Sequence, residues 1–142
     1  MGTYPTLMQI GDQKMKQTVV QNRNMVMISV AASLAIKNEL DYLWYAAHSG
    51  DHEIYPDCRP EFITKMAEVL SICDYHKINF EAPFQDLSKA EIIKVGLDMN
   101  LDYSKAWTCY EGKEKPCGKC SACLERAASF QANQVNDPLD EL

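Results

Sequence analysis

Four of the six cysteines, Cys109, Cys117, Cys120 and Cys123, stand in the pattern C-x7-C-x2-C-x2-C. Two overlapping C-x-x-C pairs with a fourth thiol upstream suit a tetrahedral four-sulfur site for zinc. Gly118 allows the chain to turn tightly there, and Pro116 stiffens the approach. Cys123 is expected in the first turn of the last helix, where the positive helix end favours thiolates. Four thiolates leave no open coordination position, so one such zinc per chain is structural rather than catalytic. An iron–sulfur cluster also takes four cysteines, although this spacing follows no familiar ferredoxin run. Disulfides belong to oxidising compartments, and the first residues lack the layout of an export signal. Cys73, on an apolar helix face, reads as core.

A second chemistry-bearing stretch is His48 to Arg59, HSGDHEIYPDCR, with two imidazoles, three carboxylates, a phenol and a guanidinium. It follows an expected strand, and open α/β sheets bind ligands beyond the carboxyl ends of their strands. A planar heterocycle bearing amide and amine groups would use Asp57 for its N–H groups and Tyr55 for stacking. A ligand carboxylate or phosphate would use Arg59, whose guanidinium forks to two oxygens. The plainer alternative is a solvated loop with Asp57 as a turn residue. Asn22-Arg23-Asn24 opens a helix, and either caps it with a surface charge or contacts an anion at its positive end.

The elements that must position these groups follow from periodicity. Met25, Ile28, Ala32, Ala35 and Ile36 recur at helical spacing between Asn22 and about Asn38, with small residues for close packing. Leu40 to Ala47 reads as a buried strand. Pro60 opens a helix to about Asp74, with Phe62, Met66, Val69, Leu70 and Cys73 on one face. Lys77 to Ala82 alternates as a second strand. Ser88-Lys89-Ala90-Glu91 is a capping box before a helix that carries Ile92, Val95, Gly96 and Met99. A last helix runs from about Ser121 to Gln134. This alternation predicts an α/β layered domain with parallel strands. Two strands are few for that architecture, so more of the sheet is expected from elsewhere.

The chain of 142 residues is 46% hydrophobic with a net charge of −6, globular rather than disordered. Its pI near 5.0 argues against nucleic acid or an anionic membrane as partner. The longest apolar stretch, Met25 to Ile36, is 12 residues with two serines, too short to span a bilayer. Met1 to Thr6 fits the short myristoylation pattern, which chance alone often produces.

Gln21-Asn22-Arg23-Asn24 before a small-residue helix, the run Tyr55-Pro56-Asp57-Cys58-Arg59-Pro60-Glu61-Phe62, and Cys117 to Arg126 together resemble the 7-cyano-7-deazaguanine synthase family. The likeness runs from about Gln21 to Pro138. It implies a Rossmann-like, adenine-nucleotide-hydrolase-like α/β layer with a C-terminal four-cysteine zinc site and terminal helix. Such enzymes are cytosolic ligases of queuosine biosynthesis that convert 7-carboxy-7-deazaguanine and ammonia to the nitrile, with ATP as co-substrate and a bound zinc. On this likeness Asp57 reads the base, with Tyr55 beside it, and Arg59 holds the carboxylate. Arg23 and Asn24 lie where phosphate or base contacts are expected. No residue is assigned to the chemical step.

Departures from the family pattern shape the expected organisation. The family opens with a strand and a Ser-Gly-Gly-x-Asp-Ser loop that cradles ATP, and these 142 residues hold no such motif. The family's Pro before Asn-x-Asn is Gln21 here. The expectation is therefore the carboxyl-terminal part of the enzyme: an irregular arm over 1–20, an α/β substrate-binding part over 21–104, and a zinc segment with terminal helix over 105–138. A partner chain carrying the ATP loop, or a homodimer, would complete it. The alternatives are a zinc-stabilised, non-catalytic module that binds a 7-deazaguanine or a partner chain, and a zinc-ribbon nucleic-acid binder. The last is disfavoured because Lys113, Lys115 and Lys119 are offset by Glu111, Glu114 and Glu125.

Overall fold

The computed structural model describes residues 19–111 and 113–139. Nearly all of the expected arm, with the Met1–Thr6 pattern, lies outside them. Backbone contacts divide the chain into two compact units, Met1–Asp86 and Leu87–Leu142. The division expected at 104/105 would separate the third long helix from the cysteine segment. The contacts group them instead, because that helix packs against the last one.

The first unit contains α1 (Arg23–Lys37), β1 (Tyr42–Trp44), α2 (Pro60–Leu70) and β2 (Asn79–Glu81). The strands pair in parallel, with Tyr42 opposite Asn79, Leu43 opposite Phe80 and Trp44 opposite Glu81. Parallel neighbours need a crossover, and α2 supplies it. Its start at Pro60 is the expected one, because the missing N–H would have had no helical partner. The core joins Ile28, Ala32 and Ala35 of α1, Ile63, Met66 and Leu70 of α2, and Ile78 and Phe80. Ala47 and Cys58, from the segment after β1, complete it.

Several sequence expectations fail here for local reasons. Asn22 is the N-cap of α1, but its backbone is left-handed and its side chain makes no cap hydrogen bond. β1 is not buried throughout: Tyr42 and Trp44 are 56% and 67% exposed. Alternation sends Leu43 and Phe80 towards the core and Tyr42, Trp44, Asn79 and Glu81 to the opposite, open face. α2 ends at Leu70, so Cys73 leaves the helical face and is exposed, donating to the Leu70 carbonyl at 3.3 Å. Val69 is likewise exposed, and Ile63 takes its place in the core.

The second unit contains α3 (Lys89–Asp98) and α4 (Ser121–Ala132). The expected capping box is formed: Glu91 N donates to Ser88 Oγ at 3.3 Å, and Ser88 N donates to Glu91 Oε2 at 2.7 Å. The buried face of α3 is Ile93 and Gly96, not Val95 and Met99, which are exposed. Gly96 decides this rotation, because only a residue without Cβ admits the Tyr103 ring. Tyr103 donates its hydroxyl to the Ile93 carbonyl at 3.2 Å and meets the Phe130 ring edge-on at 5.4 Å. A Cβ at Gly96 would lie 2.1 Å from Tyr103 Oη and 2.8 Å from Cζ. Gly96→Ala is therefore expected to destabilise this unit by about 1–3 kcal/mol despite alanine's better helix propensity. A lowered urea midpoint checks this, and an unchanged midpoint would show that Tyr103 yields freely.

Candidate metal centre and substrate site

The four expected cysteines converge: the sulfurs of Cys109, Cys117, Cys120 and Cys123 all lie within 4.8 Å of one another. Cys117 Sγ is 3.9 Å from Cys123 Sγ. Sulfurs 2.3 Å from one tetrahedral zinc stand about 3.8 Å apart, so one ion fits this set. A four-iron cluster, whose cysteines bind different iron atoms, requires wider separation. All six cysteines are free thiols.

Local backbone geometry builds the cluster. Gly118 has φ +67, the left-handed conformation that lets the chain reverse between Cys117 and Cys120. Backbone N–H groups of Glu111 and Cys117 donate to Cys109 Sγ at 3.4 and 3.3 Å, and that of Cys120 to Cys117 Sγ at 3.3 Å. Cys120 is the N-cap of α4, and Cys123 lies in its first turn, as expected.

These donors act on the thiols. The Cys117 and Glu111 amides lower the Cys109 thiol. Burial works to raise Cys120, but the Tyr110 and Cys123 amides and the neighbouring thiols outweigh it and bring the group to about 6. Burial and the adjacent Cys120 push Cys123 up to about 12. Four sulfurs this close cannot all ionise unless a cation sits among them.

Arg126, one turn beyond Cys123, buttresses this arrangement. It is buried and donates to both Asp137 carboxylate oxygens, with Nη2 to Oδ1 at 2.8 Å. Nη1 donates to the Ala106 carbonyl at 2.6 Å, and Nη2 to that of Tyr103 at 3.0 Å. Its guanidinium also sits 5.1 Å from the Phe130 ring centre. Burial would raise the Asp137 carboxyl, but Arg126 and the Leu139 N–H hold it below its usual value. Asp137 escaped the sequence reading. The available signal was an Arg in the helical register of a candidate metal-ligand cysteine.

In the first unit, the segment after β1 folds as two short 3-10 turns, Ser49–Asp51 and Pro56–Cys58. His48 is buried; Nδ1 accepts from the Gly50 N–H at 3.2 Å, and Nε2 lies 3.3 Å from Asp51 Oδ2. Both ring nitrogens are thus engaged in shaping the turn. His52 Nε2 is buried with no hydrogen-bond partner among the described residues.

Tyr55 packs its ring partly against the core, and Asp57 occupies the second turn. Arg59 is exposed, and its Nε donates to the His52 carbonyl at 2.8 Å. Arg23 Nε donates to Asn24 Oδ1 at 3.4 Å at the start of α1. The charges of Asp51, Asp57 and Arg23 all act on the Cys58 thiol, which burial chiefly raises, so this helix start and the loop share one neighbourhood. Tyr45 was missed: it directly follows β1, stacks on Phe80 at 6.0 Å, and reaches the Asp57 carbonyl with its hydroxyl at 3.2 Å.

No helix among the described residues is long and apolar enough to cross a membrane. Lys113 and Lys119 lie 3.0 and 3.9 Å from Glu111 carboxylate oxygens, so the cysteine segment is not a basic patch.

Residues 4–134 match the family model described as queuosine biosynthesis protein QueC. The chain is 50% identical over 129 residues to the 7-cyano-7-deazaguanine synthase of Pseudoalteromonas atlantica, covering 91% of this chain and 59% of that protein. It is 53% identical to that of Marinomonas sp., with the same coverage. For Caldicellulosiruptor saccharolyticus the identity is 50%, over 91% of this chain and 57% of that protein. The chain thus spans somewhat less than three fifths of the length of these relatives.

Proposed function

The chain belongs to the queuosine biosynthesis protein QueC family, and from that premise we propose that it acts in the ATP-dependent conversion of 7-carboxy-7-deazaguanine and ammonia to 7-cyano-7-deazaguanine. A carboxylate does not react with ammonia, so ATP adenylates it with release of pyrophosphate. Ammonia then displaces AMP to give the amide, and a second activation lets the amide lose its oxygen to become the nitrile. Asp57 accepts the N–H groups of the base, Tyr55 flanks its ring, and Arg59 pairs with its carboxylate. Arg23 and Asn24, at the positive end of α1, contact a phosphate or the base. The four cysteines hold zinc, whose closed sulfur shell fixes the second unit and takes no part in the reaction.

The observation that carries this reading is the run Tyr55–Arg59 folded just beyond the carboxyl end of β1, where a parallel sheet presents its ligands. The ATP-phosphate loop would come from polypeptide outside these 142 residues, on the same chain or on a partner. In support, the sheet face bearing Tyr42 and Trp44 and the α1 residues Val26, Val30 and Leu34 are exposed. Further strands and helices cover such surfaces in parallel α/β folds. A homodimer is the other assembly that would cover them.

Calorimetry with 7-carboxy-7-deazaguanine tests the assignment. Asp57→Asn is expected to weaken binding by about 1–3 kcal/mol, the cost of spoiling a buried polar pair. An unchanged dissociation constant would remove Asp57 from the site. A second reading is a non-catalytic module that binds the base. Base binding without ATP-dependent heat, even after a chain bearing that loop is added, would select it.

A further inference from the structure

We propose that Tyr45 is a positioning residue for the Asp57 carboxylate and thereby sets selectivity for a base that carries an amino group beside its ring N–H. The inference rests on the reading of Asp57 as the group that accepts those N–H donors.

Among the described residues, the turn Pro56–Cys58 has only short-range backbone hydrogen bonds of its own: Cys58 N to the Tyr55 carbonyl at 3.0 Å and Arg59 N to the Pro56 carbonyl at 3.4 Å. Neither fixes where the turn stands relative to the sheet. Tyr45 does this at two consecutive residues. Its hydroxyl donates to the Asp57 carbonyl at 3.2 Å and lies 3.3 Å from Cys58 Sγ. That thiol in turn donates to Asp57 Oδ1 at 3.9 Å. One phenol therefore restrains both the backbone and, through sulfur, the side chain of Asp57.

Tyr45 is itself held. Its backbone N–H bonds to the Glu81 carbonyl at 2.8 Å, and its ring stacks on Phe80. Burial pushes its phenol well above the usual value, as it does the Cys58 thiol, so both keep their protons at neutral pH. A carboxylate that must accept two N–H groups from a flat ring needs its plane fixed, and a loop carboxylate without such a restraint would rotate.

The test compares dissociation constants of the zinc-loaded chain for 7-carboxy-7-deazaguanine and for its analogue without the exocyclic amino group. The parent chain is expected to prefer the amino-bearing base by roughly tenfold. Tyr45→Phe should shrink that ratio to near one while leaving the affinity for the analogue unchanged. Cys58→Ala, which removes only the thiol link, should give an intermediate ratio. An unchanged ratio in Tyr45→Phe, or equal weakening for both ligands, would overturn the proposal; the latter marks a merely structural role. If Asp57→Asn abolishes the ratio and Tyr45→Phe keeps it, this inference alone falls. If Asp57→Asn keeps the ratio, or the parent binds neither ligand, the reading of the substrate site falls with it.

Discussion

Cys120→Ala is expected to release the metal and to unfold the cysteine segment together with at least the start of α4. Cys120 is both a member of the four-sulfur cluster and the N-cap of that helix. Its loss leaves Cys109, Cys117 and Cys123 as a three-sulfur set, an open site whose remaining thiolates repel one another when the ion leaves. Structural zinc in small sites has an apparent binding free energy of about 10–16 kcal/mol. A whole domain is stable by about 5–15 kcal/mol. A zinc bound here would thus contribute as much as the net stability of a whole domain, and a chelator should mimic the substitution. Metal content after gel filtration and the helical circular dichroism signal measure both effects. A folded Cys120→Ala chain with one zinc per molecule would remove Cys120 from the ligand set.

The second large effect belongs to Arg126. Arg126→Ala strands the buried Asp137 carboxylate, takes the donor from the Ala106 carbonyl, and leaves the Tyr103 carbonyl to the Ala106 N–H. Breaking a buried ion pair from one side costs about 3–5 kcal/mol. Arg126→Lys should recover only part of this, because an ammonium cannot fork to two carboxylate oxygens while reaching two carbonyls. The pH dependence has a defined sign. Asp137 is held below its usual value, so the pair contributes fully above the unfolded carboxylate pKa of about 3.9. That contribution drains away as the pH falls through the lower, folded value. Urea unfolding of parent and variant at matched metal content across this range should show a steeper acid loss in the parent than in Arg126→Ala. A loss below about 1 kcal/mol would mean that the pair is no more than a surface contact.

Features governed by neighbours in sequence were legible without coordinates. The Ser88–Glu91 box, Pro60 at a helix start, Gly118 at a reversal and the cysteine spacing each depend on a few adjacent residues. All appear as read. The faces of α2 and α3 were misjudged because apolar spacing alone does not say which stripe meets a neighbour. In α3 the answer turned on Gly96, whose missing side chain matters only once Tyr103 arrives from the following turn. Cys73 was misplaced because the helix stops one turn sooner than its apolar residues suggest.

By itself the sequence determined the α/β alternation, the four candidate ligands and the loop that carries Tyr55, Asp57 and Arg59. Short-range patterns suffice for these, since caps, turns and chelating spacings are set within a few bonds. Only the tertiary structure decided that Tyr45 braces Asp57 across 12 residues and that Arg126 reaches Asp137 and Tyr103 across 11 and 23. It also decided which faces stay open. These depend on where distant backbone segments come to rest, and that is fixed by packing of the whole unit rather than by any local run.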